Sequence, residues 1–428
     1  MLSLALQLLF LPALLAFALI SAARIRRLSL GESTTKLGDE PTTSTARTLF
    51  RDRNSITSLL APSEGDLPSL LAARAHANER FTNAFDIHST FTSPSRAVHD
   101  TFVRRMKALI DSKATGCDVH LHPPAAAAQP FDKTVRAIVL HLVLVALLDA
   151  DPAALEYPAL DRFAETLNDL WTRSKAPAPI PPHLLAALQA QLRAWVPRTQ
   201  ENAGANHLEV IIPAYETMWR VVAVALAHVH LDPRLRAGFD AFGARPTADE
   251  LGRAAVDGAP SAHSVVLEVL RLYPPTRRIA RHVPRAPHAD ADAHHPLAAL
   301  VQRFLFNFNT RPSTPTRDFD VLVADVEAAQ REGAAWGPDP DAFDPRRWER
   351  AGGSPSSPPP SAAALLAFGH GRLKCVASGW APGAAAAIVA GVLSAGARVE
   401  RADGADAVSG GRDAWRGWSL VVPAEEDA

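Results

Sequence analysis

Residues 368–393 read FGHGRLKCVASGWAPGAAAAIVAGVL, and this stretch decides the fold. Cys375 stands between a loop punctuated by Gly369 and Gly371 and an apolar run of small residues long enough for a helix. A cysteine just before a helix N-terminus meets the positive end of the helix dipole, which favours thiolate over thiol. A thiolate is a nucleophile or a metal ligand. The glycines allow the backbone turns that would bring it up to a flat cofactor. The chain of 428 residues has only 2 cysteines, so a disulfide framework and a four-thiolate metal site are both excluded. Its formal net charge of -1 gives no bulk electrostatic case for a nucleic-acid partner.

Three other segments bear on the cysteine. EVLR places Glu268 and Arg271 at i and i+3 on one helix face, the spacing of an ion pair. FDPRRW offers Arg347 as a second guanidinium for the same carboxylate. IIPAYETMWR sets an acid and an alcohol, Glu216 and Thr217, side by side in an apolar helix just after Pro213 and the small Ala214.

The organisation is mainly α with a small β component, in one large domain. Apolar spacings of three and four predict helices near Leu67–Thr82, Ser95–Asp111, Phe131–Asp149, Leu155–Lys175, Pro182–Val196, Leu208–His230 and Ser261–Leu272. Phe319–Val323 and Trp418–Val422 are the strand candidates. Leu28–Ser63 is polar and weakly periodic, and reads as a linker with little regular structure. His288, His294 and His295 sit in a proline-bounded Ala/Asp loop and read as solvated rather than as metal ligands. Met1–Ala23 carries no charge and is long enough to span a bilayer, and Arg24, Arg26 and Arg27 follow at once. That charge order reads as a signal anchor that leaves the remainder in the cytosol. A cleaved secretory peptide is the competing reading, because SAA resembles a small-residue cleavage site.

Together and in this order, the four segments resemble the cytochrome P450 family over about Asn78 to Val422. The resemblance implies the P450 fold, mainly α with small β-sheets, and haem b between an oxygen-activating helix and the cysteine loop. It puts Cys375 on the axial iron ligand and Phe368, Gly369 and Gly371 on the haem-binding loop. Glu268, Arg271 and Arg347 match the family's structural triad. Ala214, Glu216 and Thr217 match the small residue, acid and threonine of the oxygen-activating helix, with Thr217 and Glu216 as the catalytic pair. Arg281 falls where an arginine often meets a haem propionate. Three features depart from the pattern. Leu373 replaces the usual arginine of the loop, which leaves Lys374 and Arg372 as candidate propionate partners. Ala377 replaces a glycine. The haem-contacting Trp-x-x-x-Arg is missing, with Phe102 and Arg105 as stand-ins.

The implied activity is insertion of one oxygen atom from O2 into an apolar small molecule, of the kind made in secondary metabolism. Electrons would come from a separate NADPH-cytochrome P450 reductase, since no dinucleotide fingerprint is present. The wording looks most like a shortened, membrane-anchored fungal branch. This implies residues 1–23 as a single-pass anchor in the endoplasmic reticulum membrane, 24–77 as a linker and abbreviated N-terminal region, and 78–428 as the oxygenase domain. Two alternatives share the fold: a catalytically silent haem-binding membrane protein, and a reductase-independent isomerase or peroxygenase.

Overall fold

The computed structural model describes residues 47–61, 74, 78–87, 128–176, 179–197, 206–255, 258–284, 319–337, 339–349 and 365–422. The expected anchor, Ser95–Asp111, Phe102, Arg105, Cys117, the His288–His295 loop and most of Leu67–Thr82 lie outside the described residues.

Internal contacts gather the chain into two compact units. The smaller unit takes Met1–Phe50 and Arg281–Val323, the larger Arg51–Ala280 and Ala324–Ala428. One three-stranded sheet consists of β1 (Arg47–Phe50), β3 (Arg278–Pro284) and β4 (Phe319–Asp325) in the order β1-β4-β3. In the larger unit β2 (Gln129–Pro130), β5 (Arg398–Arg401) and β6 (Trp418–Val421) form a second sheet, ordered β2-β6-β5. Both pairings there are antiparallel, with Gln129 opposite Leu420 and Arg398 opposite Val421.

The helices of the larger unit are α1 (Arg53–Leu60), α2 (Glu79–Phe85), α3 (Phe131–Leu148), α4 (Tyr157–Lys175), α5 (Pro182–Trp195), α6 (Leu208–Tyr215), α7 (Met218–Leu231), α8 (Arg236–Ala244), α9 (Ala262–Leu272) and α10 (Ala381–Ser394). Helix α1 and strand β1 correct the reading of Leu28–Ser63 as irregular. Asp52 caps α1 by accepting from the Ser55 N–H at 2.8 Å, and Ile56 and Leu60 are buried. A polar surface had hidden a short amphipathic helix. Helix α8 was also missed, because only Gly238, Phe239 and Phe242 of its nine residues are buried.

The helix expected over Leu208–His230 is broken in two at Glu216–Thr217. Pro213 has no N–H to give the turn before it, and the Thr217 hydroxyl donates to the Pro213 carbonyl at 3.3 Å, a pairing that bends helices. Packing holds the pair in place. Ten of the fourteen residues of α7 are buried, Trp219, Val222 and Leu226 among them, and each large apolar side chain so buried stabilises the fold by roughly 1.5–3 kcal/mol. The segment Leu208–Leu231 is long and apolar enough to cross a membrane, but 78% of its apolar window is buried within the protein. It is a core element. Around it α3, α9 and α10 pack closely, and the small residues of α10, Ala384 to Ala387, let the helix backbones approach.

Candidate functional site

Cys375 caps a short helical turn, Val376–Gly379, and α10 follows from Trp380. Its loop is closed on itself. The Cys375 N–H donates to the Phe368 carbonyl at 2.7 Å, and the Gly369 N–H donates to Leu366 at 2.8 Å. Gly369 and Gly371 both take positive φ, 76° and 66°. Gly371 is further constrained by crowding, since a Cβ there would stand 2.2 Å from the Ala61 Cβ beyond the end of α1.

That crowding gives a prediction. Gly371→Ala combines backbone strain with a steric clash, so it should lower the unfolding free energy by about 2 kcal/mol or more. Gly369→Ala is the control, because its new Cβ would meet only the Leu373 carbonyl, at 3.8 Å. Denaturant midpoints of the two variants should differ. Equal midpoints would show that Ala61 does not pin the loop.

The thiol is accessible to solvent. Crowding by the surrounding protein nonetheless pushes its pKa up, and this outweighs the Ala377 N–H and the charges of Arg74 and Lys374, which pull it down. Arg74 was not a sequence candidate. Nothing in its alanine-rich surroundings marks it, and only the fold brings it to the cysteine.

Behind the loop lies the triad. Glu268, fully buried, is gripped bidentately by Arg271, Nη2 to Oε1 at 2.8 Å and Nε to Oε2 at 2.9 Å. The Arg347 Nε donates to Oε1 at 2.9 Å, the Asp344 N–H to Oε1 at 2.9 Å and the Trp348 Nε1 to Oε2 at 3.0 Å. Both guanidiniums also reach carbonyls of the 336–342 segment, Trp336 and Ala342 among them. Gln330 carries this rigidity forward. Its amide donates to the carbonyls of Leu270 and Arg271 at 3.1 and 2.9 Å, and its oxygen accepts the N–H groups of Leu366 and Ala367 at 2.7 and 3.1 Å. The end of α9 is thus tied to the start of the cysteine loop by one side chain that no local pattern marks.

The broken helix lies beside the loop. Ala214 and Met218 share a narrow apolar gap with Trp380, five residues after Cys375. One position earlier on the helix surface, Pro213 is exposed and Thr217 half-buried, so this stripe is the accessible one. Glu216 lies elsewhere. It is buried and pairs with Arg412, which also donates to the Asn168 oxygen at 2.8 Å and lies over the Trp171 ring at 4.4 Å. The acid and the alcohol expected to act side by side therefore serve different surroundings. Arg412 is a further residue that the sequence did not point to, since it sits 196 positions from its partner.

Phe368 is half-buried against the core, Lys374 is half-buried and Arg372 is exposed. Arg281 lies on β3, in the smaller unit.

Among solved structures, the chain is similar to CYP175A1 from Thermus thermophillus, with a TM-score of 0.55 and 15% identity over 88% of this chain and 89% of that one. The chain has the cytochrome P450 fold. P450 OxyD, involved in the biosynthesis of vancomycin-type antibiotics, aligns at a TM-score of 0.49 and 15% identity over 88% and 89% of the two chains. CYP164A2 of Mycobacterium smegmatis aligns at 0.48 and 16% over 88% and 91%. No family model matches the sequence, and no curated protein matches it. The P450 fold implies haem, and the donor set at the loop fits that group: an accessible thiol, an N–H aimed at its sulfur, and two cations beside it.

Proposed function

We propose that the chain is a haem-thiolate monooxygenase. An apolar R–H, O2, NADPH and a proton would give R–OH, water and NADP+, with the electrons passing through a separate NADPH-cytochrome P450 reductase. The observation that carries this reading is the accessible Cys375, capping a helical turn on a glycine loop of the P450 fold, beside the accessible face of a broken helix.

Haem b, when bound, would supply the reductive activation of dioxygen, with thiolate ligation favouring O–O cleavage. The chain's own residues do the remainder. Cys375 is the ligand, and the Ala377 N–H tempers its charge. Arg74, Lys374 and Arg372 are candidate cations for the propionates, with Phe368 packed at the head of the loop. Thr217 stands on the accessible stripe and would pass protons through its hydroxyl. Glu216, locked to Arg412, would hold the start of α7 so that Thr217 keeps its place. Met1–Ala23 would anchor the protein to the endoplasmic reticulum membrane with the oxygenase part in the cytosol, in the manner of the shortened fungal members.

Thr217→Ala tests this reading. Haem content should be unchanged, while product per NADPH falls at least tenfold and hydrogen peroxide per NADPH rises correspondingly. The assay uses haem-loaded protein, the reductase and a compound that the wild type turns over. Unchanged coupling would remove Thr217 from the reaction, whereas a haem-loaded wild type that turns over no compound would favour the silent haem protein.

A further inference from the structure

Three guanidiniums, those of Arg412, Arg277 and Arg136, act on that of Arg220 just after the break between α6 and α7. Those three have carboxylates. Arg412 pairs with Glu216, Arg136 with Asp132 at 3.2 Å, and Arg277 with Glu327 at 3.6 Å. Arg220 has none. Its Nε donates to the Glu216 carbonyl at 3.3 Å and its Nη1 to the Gly410 carbonyl at 3.5 Å, both long, and Nη2 has no partner among the described residues. Burial and the neighbouring Arg412 lower its pKa to about 10, which still leaves it charged at neutral pH. A half-buried cation facing other cations is costly unless an anion joins it.

Its place on the helix decides what that anion serves. Pro213, Thr217 and Arg220 fall at i, i+4 and i+7, one stripe of a chain that keeps right-handed helical dihedrals through Glu216 and Thr217. Residues 214, 215, 216, 218 and 219 around them are buried. The accessible stripe therefore runs from an apolar end at Pro213, past the Thr217 hydroxyl, to a guanidinium one turn beyond.

We propose that the substrate is an apolar chain ending in a carboxylate, and that Arg220 receives this carboxylate through its unshared Nη2 edge. The inference rests on the monooxygenase reading, whose reacting centre lies beside Thr217, and it sets the oxidised position at a fixed distance from the acid. A guanidinium grips a carboxylate with two parallel hydrogen bonds, which an alcohol cannot accept in the same way. A haem propionate offers the same carboxylate chemistry, so the test must separate the two sources.

The test compares n-alkanoates of eight, twelve and sixteen carbons with the corresponding n-alcohols, titrated by calorimetry into full-length protein in detergent. Wild type should bind at least one acid tenfold or more tightly than its alcohol. Arg220→Gln should erase that preference while keeping haem content and the alcohol affinity unchanged. Equal affinity for acid and alcohol at every length overturns the proposal, as does an acid preference that survives in Arg220→Gln. Loss of haem in Arg220→Gln also overturns it, by assigning the guanidinium to a propionate. Calorimetry needs no iron signal, so a wild type that binds the acid but holds no haem would sink the monooxygenase reading and leave the Arg220 site standing.

Discussion

Replacing Cys375 with alanine should abolish the strongly red-shifted Soret band that the reduced, carbon monoxide-treated wild type is expected to show. That band reports a thiolate opposite the bound gas, and Cys375 is the cysteine that the fold presents on the loop. Full-length protein in detergent is the sample. The fold itself should survive, because the side chain is accessible and removing it strands no buried partner, so unfolding of the haem-free variant should stay within about 0.5 kcal/mol of wild type. The raised thiol pKa adds a pH signature. Iron takes the thiolate, so ligation must release a proton, and haem uptake should strengthen as pH rises from 6 towards 9. A wild type without haem, or a Cys375→Ala protein that keeps the band, would end the haem-thiolate proposal.

How much of this was legible beforehand depended on how local the causes were. Helices α3, α4, α5 and α9 were readable to within two residues at each end, because each carries an apolar stripe at helical spacing and a proline or capping residue near its start, such as Ser261 accepting from the Ser264 N–H at 3.1 Å. The cysteine loop was readable for the same reason: glycines and a cysteine within eight residues leave few geometries. The pairing of Glu268 with Arg271 is one turn of helix.

Long-range partners were not readable. Arg412, Gln330 and Arg74 reach their partners across the chain, and their neighbours in sequence are unremarkable alanines, glycines and charged residues. The break at Glu216–Thr217 was half legible, since Pro213 announces a disturbed helix, but which side of the break faces which partner is set by α4 and the 409–413 loop. Strands β3 and β5 were missed because Arg278, Arg281, Arg398 and Arg401 interrupt the alternation that marks a strand.

The second large effect belongs to Glu268. Its carboxylate accepts from two arginines, a tryptophan and a backbone N–H, and Glu268 and Arg271 have no accessible surface. Glu268→Ala removes the one charge that neutralises two buried guanidiniums, a loss of about 3–5 kcal/mol. For a unit of this size the thermal midpoint should fall by about 5 °C, with a matching fall in soluble yield. Glu268→Gln should lose less, since the amide oxygen still accepts two donors. The exposed pair of Lys133 and Glu165, with side chains 40% and 49% accessible, is the internal control: Glu165→Ala should cost under about 1 kcal/mol. The same change should reach the cysteine loop. Gln330 holds Leu366 and Ala367 from one side and the end of α9 from the other, so an α9 freed from Arg347 lets the loop drift. Any folded fraction of Glu268→Ala should therefore hold haem more weakly than wild type, measured as faster transfer to apomyoglobin. A midpoint unchanged within 2 °C would show that the triad is not what fixes α9 beneath the loop.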